Sequence, residues 1–179
     1  MAEPKTLTQF ETVLLPHLAA AYNLARWLTR NDHDAEDLVQ EAYLRAFKSF
    51  DGFRGGDGRG WILAIVRNTC YTWLQQNRSQ DLADVFDEEV HTVEDSSQNP
   101  EAALLQDVGS QLLREALEKL PVEFREILVL RELEGMSYRE IADLAVIPVG
   151  TVMSRLARGR EHLQRQLTQA MKRETRREL

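Results

Sequence analysis

Cysteine is nearly absent from this chain of 179 residues: Cys70 stands alone, so no internal disulfide can form, and a reducing interior is the simplest compartment. Its neighbours Ile65, Val66 and Trp73 favour an inert, buried thiol over a reactive one. No apolar run approaches the roughly 20 residues that a membrane span needs. The opening Met1-Ala2-Glu3-Pro4-Lys5 lacks the basic-then-apolar order of a secretion signal. Cytoplasmic localisation without membrane insertion is therefore expected. Histidine is equally scarce. His17, His33, His91 and His162 are scattered, and His33-Asp34 has no second partner at metal-binding spacing. No nucleophile motif is present, and Gly56-x-Gly58-x-Gly60 is no dinucleotide fingerprint because no strand precedes it. These absences argue against a metal, a cofactor and catalysis by the chain itself. Strand-like alternation and internal repeats are missing too, while a hydrophobic share of 43% is ordinary for a folded protein.

What is present is a divided charge. The total of −7 argues superficially against a nucleic-acid partner. Residues 79–107, however, hold nine acids and no Lys or Arg, whereas residues 151–179 hold eight bases against three acids. Local fields rather than totals steer a polyanion, so an acidic middle and a basic end matter more than the sum.

Helical periodicity organises the rest. Phe10, Val13, Leu14, Leu18, Ala21, Ala25 and Leu28 form one stripe, which Pro16 should kink or delay. Asp34 reads as the N-cap of a second helix, with Ala35, Leu38, Val39, Ala42, Ala46 and Phe50 buried. Five of the nine glycines fall between Gly52 and Gly60, which predicts a mobile or tightly turned loop. A third helix is expected from about Trp61 to Asn77. Periodicity then fails from Ser79 to about Pro100, as expected of a flexible acidic linker. Helices resume over Ala102–Leu120 and, opened by Pro121, over Val122–Glu134, where Ile127, Leu128, Val129 and Leu130 imply burial nearly all round. Gly135 should end that helix. The fold class is all-α: two small helical bundles, 1–78 and 102–179, joined by a linker at 79–101.

The second bundle carries the most informative pattern. Ser137 can cap a short helix in which Tyr138, Ile141, Ala142 and Ala145 share a face. After a break at Val146-Ile147-Pro148, a longer helix buries Val149, Val152, Leu156, Gly159, Leu163 and Leu167. At 100° per residue, Thr151, Ser154, Arg158 and Glu161 point outward with Arg155 at the edge. A short helix holding a second one with small polar and Arg side chains outside is a helix-turn-helix suited to the DNA major groove. Arg155 and Arg158 can read bases, while Arg139 and Arg160 are placed for phosphate. Lys172-Arg173 and Arg176-Arg177 read as a frayed tail.

Arg139-Glu140-Ile141-Ala142 through Pro148-Val149-Gly150-Thr151-Val152-Met153-Ser154-Arg155-Leu156 resembles the fourth region of extracytoplasmic-function (ECF) sigma factors of the sigma-70 type. Asp34-Ala35-Glu36-Asp37-Leu38-Val39-Gln40-Glu41 resembles their second region, and Trp61-Ile62-Leu63-Ala64-Ile65-Val66-Arg67-Asn68 their promoter-melting segment. The resemblance implies a transcription initiation factor, active in a stress or envelope response, whose partners are core RNA polymerase (largest-subunit clamp helices and flap), promoter DNA and an anti-sigma factor. It assigns Asp37, Gln40, Glu41, Leu44 and Lys48 to polymerase docking, and Arg54, Arg59, Trp61, Arg67 and Asn68 to the −10 element. It assigns Thr151, Met153, Ser154, Arg155 and Arg158, with Arg139 and Arg160, to the −35 element. Trp61 has a competing role in the core, and the acids of the docking face also suit a helix N-terminus.

Three positions depart from the family pattern. The third helix ends Thr72-Trp73-Leu74-Gln75-Gln76-Asn77-Arg78 rather than in an Asp and a basic cluster. Met153 replaces a frequent base, removing a donor while offering contact to a thymine methyl. Val146 replaces a frequent Gly, and because a β-branched residue is disfavoured at positive φ, a turn avoiding that conformation is expected. The competing reading is a sigma-like mimic that sequesters an anti-sigma factor without binding DNA. A stand-alone repressor would need a dimer helix, and none is visible beyond Leu167. The linker acids are also expected to compete with DNA for the basic tail.

Overall fold

The computed structural model describes residues 4–81 and 100–178, with side chains described over 6–77 and 109–178. Among these residues every regular element is helical. Pro16 does interrupt the first apolar stripe. Helix α1 (Pro4–Leu14) gives way to a 3-10 turn at Leu15–His17, and α2 (Leu18–Thr29) follows. Phe10, Leu14, Ala21, Ala25 and Leu28 are buried as the spacing predicts, whereas Leu18 is exposed. Helix α3 (Asp32–Lys48) starts earlier than expected. Its N-cap is Asn31, not Asp34: the Asn31 side-chain oxygen accepts from the Asp34 N–H at 3.0 Å. Asp32 and Asp34 then sit in the first turn, where their charge favours the helix dipole. All six residues of the α3 stripe, through Phe50, are buried.

The glycine segment is turned rather than long. Gly55 and Gly56 take φ of 83° and 95°, and α4 (Gly58–Asp81) begins three residues before Trp61. A Cβ at Gly58 would lie 2.8 Å from Val13 Cγ1 and 3.1 Å from Val13 O. Only glycine lets the first turn of α4 rest on α1. Helices α2, α3 and α4 pack on one another, with α1 on α4. Leu24, Leu28, Ile62, Leu63 and Val66 are fully buried there, each worth about 1.5–3 kcal/mol of burial. Phe10 adds edge-to-face contacts with Phe47 at 5.1 Å and Phe50 at 5.3 Å.

The second bundle contains α5 (Pro100–Glu118), α6 (Val122–Leu128), α7 (Tyr138–Ala145) and α8 (Val149–Arg177). Pro121 is the N-cap of α6, and the chain then widens into a π turn over Val129–Leu133 before Gly135 at φ 64°. Ile127 to Leu130 are all buried, as expected. Within α8, Val152, Leu156 and Gly159 are buried, Leu163 and Leu167 half-buried and Val149 exposed. The basic tail is not frayed: α8 continues as helix to Arg177. The linker, and with it the expected competition between its acids and the tail, falls largely at 82–99, outside the described residues.

The two bundles also meet directly. Helix α4 packs against α7, and α2 against α6 and the π turn. A tether between two separate bodies would not require that seam, and the hydrophobic periodicity carries no sign of it.

Candidate functional site

The helix-turn-helix is built as its capping residues dictate. Ser137 Oγ accepts from the Glu140 N–H at 3.1 Å, and the Glu140 carboxylate accepts from the Ser137 N–H at 2.7 Å, closing a capping box. At the far end of α7 the expectation for Val146 is overturned. Val146 sits at φ 55°, ψ 50°, in the left-handed region. Its N–H and that of Ile147 both donate to Ala142 O, the latter at 3.1 Å. This closure satisfies orphan carbonyls at the helix end and fixes the turn, so the cap geometry prevails over the side chain's preference. Pro148 then caps α8.

That turn presents the outer face of α8. Met153, Ser154 and Arg158 are exposed and Thr151 and Arg155 half-exposed, with Arg139 exposed on α7. The Ser154 hydroxyl donates to Thr151 O at 3.1 Å, leaving its lone pairs outward. Arg160 is engaged by Glu132 at 2.6 Å, but both side chains are about half exposed, so the pair is weak enough to exchange for a phosphate.

On α3, Asp37, Gln40, Glu41, Leu44 and Lys48 form one exposed face, Glu41 pairing with Arg45 one turn on. Leu44 is 62% exposed. A large apolar side chain held in water among charged neighbours is the feature a solvated face does not require.

The five residues assigned to the −10 element do not share a face. Arg54 and Asn68 are exposed. Trp61 is half-buried, its ring 5.2 Å from Phe53 and 6.2 Å from Phe50, so it serves the aromatic core. Arg59 donates to Glu134 O at 3.1 Å and lies 4.0 Å from Glu140. Arg67 points into the seam, where its Nε donates to Glu126 Oε1 and its Nη2 to Oε2 at 3.4 Å.

Glu126 is fully buried, and the Tyr71 hydroxyl completes its shell at 2.6 Å. The Arg67 guanidinium lies over the Tyr71 ring at 4.3 Å. Burial works against the Arg67 cation, but the hydrogen bond and charge of Glu126 outweigh it and hold its pKa above the ordinary value. Burial, reinforced by Glu126, drives the Tyr71 hydroxyl well upward. The residue preceding Glu126, Arg125, is also buried and, among the described residues, has no carboxylate in ion-pair contact. It donates to Trp27 O at 2.6 Å and Leu28 O at 3.4 Å on α2, and to Glu118 O at 3.1 Å and Leu120 O at 2.8 Å. These are carbonyls at two helix ends, where the dipole favours a cation. Burial first, then Arg30, lowers its pKa to about 10, which leaves it charged at neutral pH.

Sequence reasoning missed Tyr71, Arg125 and Glu126. One signal was available: Glu126 lies on the same face as Val122, Val129 and Leu130, a charge placed on an apolar stripe.

Comparison with known proteins matches both halves. Sigma-70 region 2 matches residues 14–80, and Sigma-70, region 4 matches residues 110–163. The ECF RNA polymerase sigma factor SigE of Mycolicibacterium smegmatis is 34% identical over 157 residues, 88% of this chain and 61% of that protein. The chain thus spans under two thirds of that relative's length. The ECF RNA polymerase sigma-E factor of Escherichia coli K12 is 38% identical over 135 residues, 72% of this chain and 71% of that protein. Among solved structures, the sigma factor RpoE bound to the anti-sigma factor NepR from Bartonella quintana superimposes with a TM-score of 0.70 at 30% identity, covering 89% of this chain and 97% of that one. CnrH in complex with the cytosolic domain of CnrY gives 0.60 at 25% identity, covering 89% and 87%. With both regions present in order and these identities over most of each half, the chain belongs to the ECF group of sigma-70-type RNA polymerase sigma factors.

Proposed function

We propose that this chain is an alternative sigma factor that binds core RNA polymerase and directs promoter-specific initiation in a stress or envelope response. In this reading, residues 1–78 bind polymerase and open the −10 element, 79–101 tether the halves, and 102–179 read the −35 element. The carrying observation is that both family regions occur in order in one chain, each with an exposed working surface: the Leu44 face of α3 and the Met153–Arg158 face of α8. Arg158 and Arg155 are placed to read base edges, at about 1–3 kcal/mol per good bidentate pair. Asn68, exposed on α4, is the group best placed to take an unstacked base, since Arg67 and Arg59 are occupied at the seam. An anti-sigma partner is part of the proposal, because both solved relatives are described in complexes of that kind or with a bound cytosolic domain. No described helix is long and apolar enough to cross a membrane.

The test is run-off transcription by core polymerase on fragments selected from genomic DNA, comparing the natural chain with Arg158→Ala. Transcripts that depend on the chain and fade in the variant support the reading. Core binding without any transcript would oppose it, and absence of core binding would favour the anti-sigma decoy.

A further inference from the structure

The seam between the bundles has a polarity. Among the described residues, apart from Arg125, every side-chain pair across it puts the donor on the N-terminal bundle and the carboxylate on the C-terminal one. Asn23 donates to Glu134 at 2.8 Å, Arg26 to Glu118 at 3.4 Å, Arg59 faces Glu140 at 4.0 Å, and Arg67 with Tyr71 holds Glu126. The face that α2 and α4 turn toward the C-terminal bundle is therefore built to receive anions. Its centre is the most developed. A planar guanidinium grips two oxygens of one anion while a phenol donates a third hydrogen bond, and a phosphate diester offers the same pair of acceptors.

We propose that Arg67 and Tyr71 form a binding site for a backbone phosphate of the melted promoter strand, and that Glu126 occupies this site from within when the bundles are closed. Closure and engagement of the strand are then mutually exclusive. Opening removes Glu126 from Arg67 and simultaneously withdraws Glu134 and Glu140 from Arg59. The same movement that frees Asn68's helix also uncovers the cations beside it. Because apparent affinity scales with the open fraction, the free chain binds DNA weakly for a reason that does not involve the linker. Docking on polymerase, which separates the two halves, is the step that releases the site. This inference deepens the proposed function and rests on it.

The experiment uses the full chain in three variants, Glu126→Gln, Arg67→Gln and Glu123→Gln, with circular dichroism confirming the fold of each. Glu123 is exposed on the same helix and controls for the loss of one negative charge. Small-angle X-ray scattering reads closure, and fluorescence anisotropy with a labelled single-stranded DNA pool of random sequence reads the phosphate site. Glu126→Gln should raise the radius of gyration and tighten DNA binding about tenfold as the open fraction grows. Arg67→Gln should open the chain equally but gain no affinity, because it removes the site itself. Glu123→Gln should change neither. Unchanged scattering in Glu126→Gln, or an equal gain in affinity in Arg67→Gln or Glu123→Gln, would overturn the proposal. Opening without any gain in DNA binding would also overturn it. Chain-dependent run-off transcription alongside such a result would show that this inference alone had failed, whereas absence of transcription would fault the function on which it rests.

Discussion

Val146→Gly should stabilise this protein, and the amount follows from the turn it occupies. A left-handed conformation costs an L-residue about 1–2 kcal/mol, and a β-branched side chain belongs at the upper end. Glycine removes that strain, while its greater freedom in the unfolded chain returns about 0.5–1 kcal/mol. Val146 is 85% exposed, so the lost burial is small, about 0.3 kcal/mol from a full side-chain value near 2. The balance is a gain of about 0.5–1 kcal/mol. With a urea slope of about 1–3 kcal/mol per molar, the unfolding midpoint should rise by about 0.2–1 M. Far-UV circular dichroism follows the transition, since Trp27, Trp61 and Trp73 all report on the N-terminal bundle. Amide exchange of the α7–α8 turn isolates the local effect. Val146→Asn is an independent check, because asparagine tolerates this conformation without glycine's entropy. If both variants lower the midpoint, the turn is not left-handed at this position and the capping argument fails.

Arg125→Met keeps most of the side-chain volume but takes the side-chain donor from three carbonyls, those of Trp27, Leu28 and Leu120, while Glu118 O keeps its bond from Arg30. It should destabilise the chain by about 2–4 kcal/mol in chemical denaturation, and an unchanged midpoint would mean those carbonyls already meet water. Burial, helped by the charges of Glu126 and Glu41, pushes the Cys70 thiol from 9.0 to about 12. That shift favours the native state fully below about pH 9, and the advantage is lost as pH rises toward 12. At pH 8 Ellman's reagent should therefore label Cys70 only in guanidinium, and rapid labelling of the native chain would show the thiol to be accessible. Leu44→Asp should leave stability within about 0.5 kcal/mol, as an exposed site allows. It should weaken capture of core polymerase about tenfold, equivalent to about 1.4 kcal/mol; undiminished capture would place docking on another face.

Much of this architecture could be read directly. The α3 stripe from Ala35 to Phe50, the capping box at Ser137 and the break at Pro148 follow from local rules of periodicity and capping, and these rules hold because neighbouring residues decide them. What escaped was of two kinds: close competitions between local options, and contacts made across the chain. Asn31 outcompetes Asp34 as a cap because the extended backbone there aims its oxygen at the Asp34 N–H, a choice between equally suitable side chains. Val146 takes a disfavoured conformation because two hydrogen bonds to Ala142 outweigh it. The place of Arg59 and Arg67 on α4 suggests nucleic-acid ligands and gives no sign of their partners Glu134, Glu140 and Glu126, which lie more than fifty positions away. No periodicity within α4 distinguishes an arginine facing a groove from one facing a distant carboxylate.

Helix α8 runs unbroken from Val149 to Arg177, so Met153 and Arg176 are separated by a rod of roughly 35 Å at 1.5 Å per residue. That is about one turn of duplex DNA. A disordered tail would lose about 1–2 kcal/mol of backbone entropy for every residue immobilised on contact. A helical tail has already given up that freedom during folding, so its basic residues are held as a preorganised set. Inserting a proline near Thr168 would leave every charge in place and yet weaken DNA binding, because the tip would again have to be ordered by the contact itself.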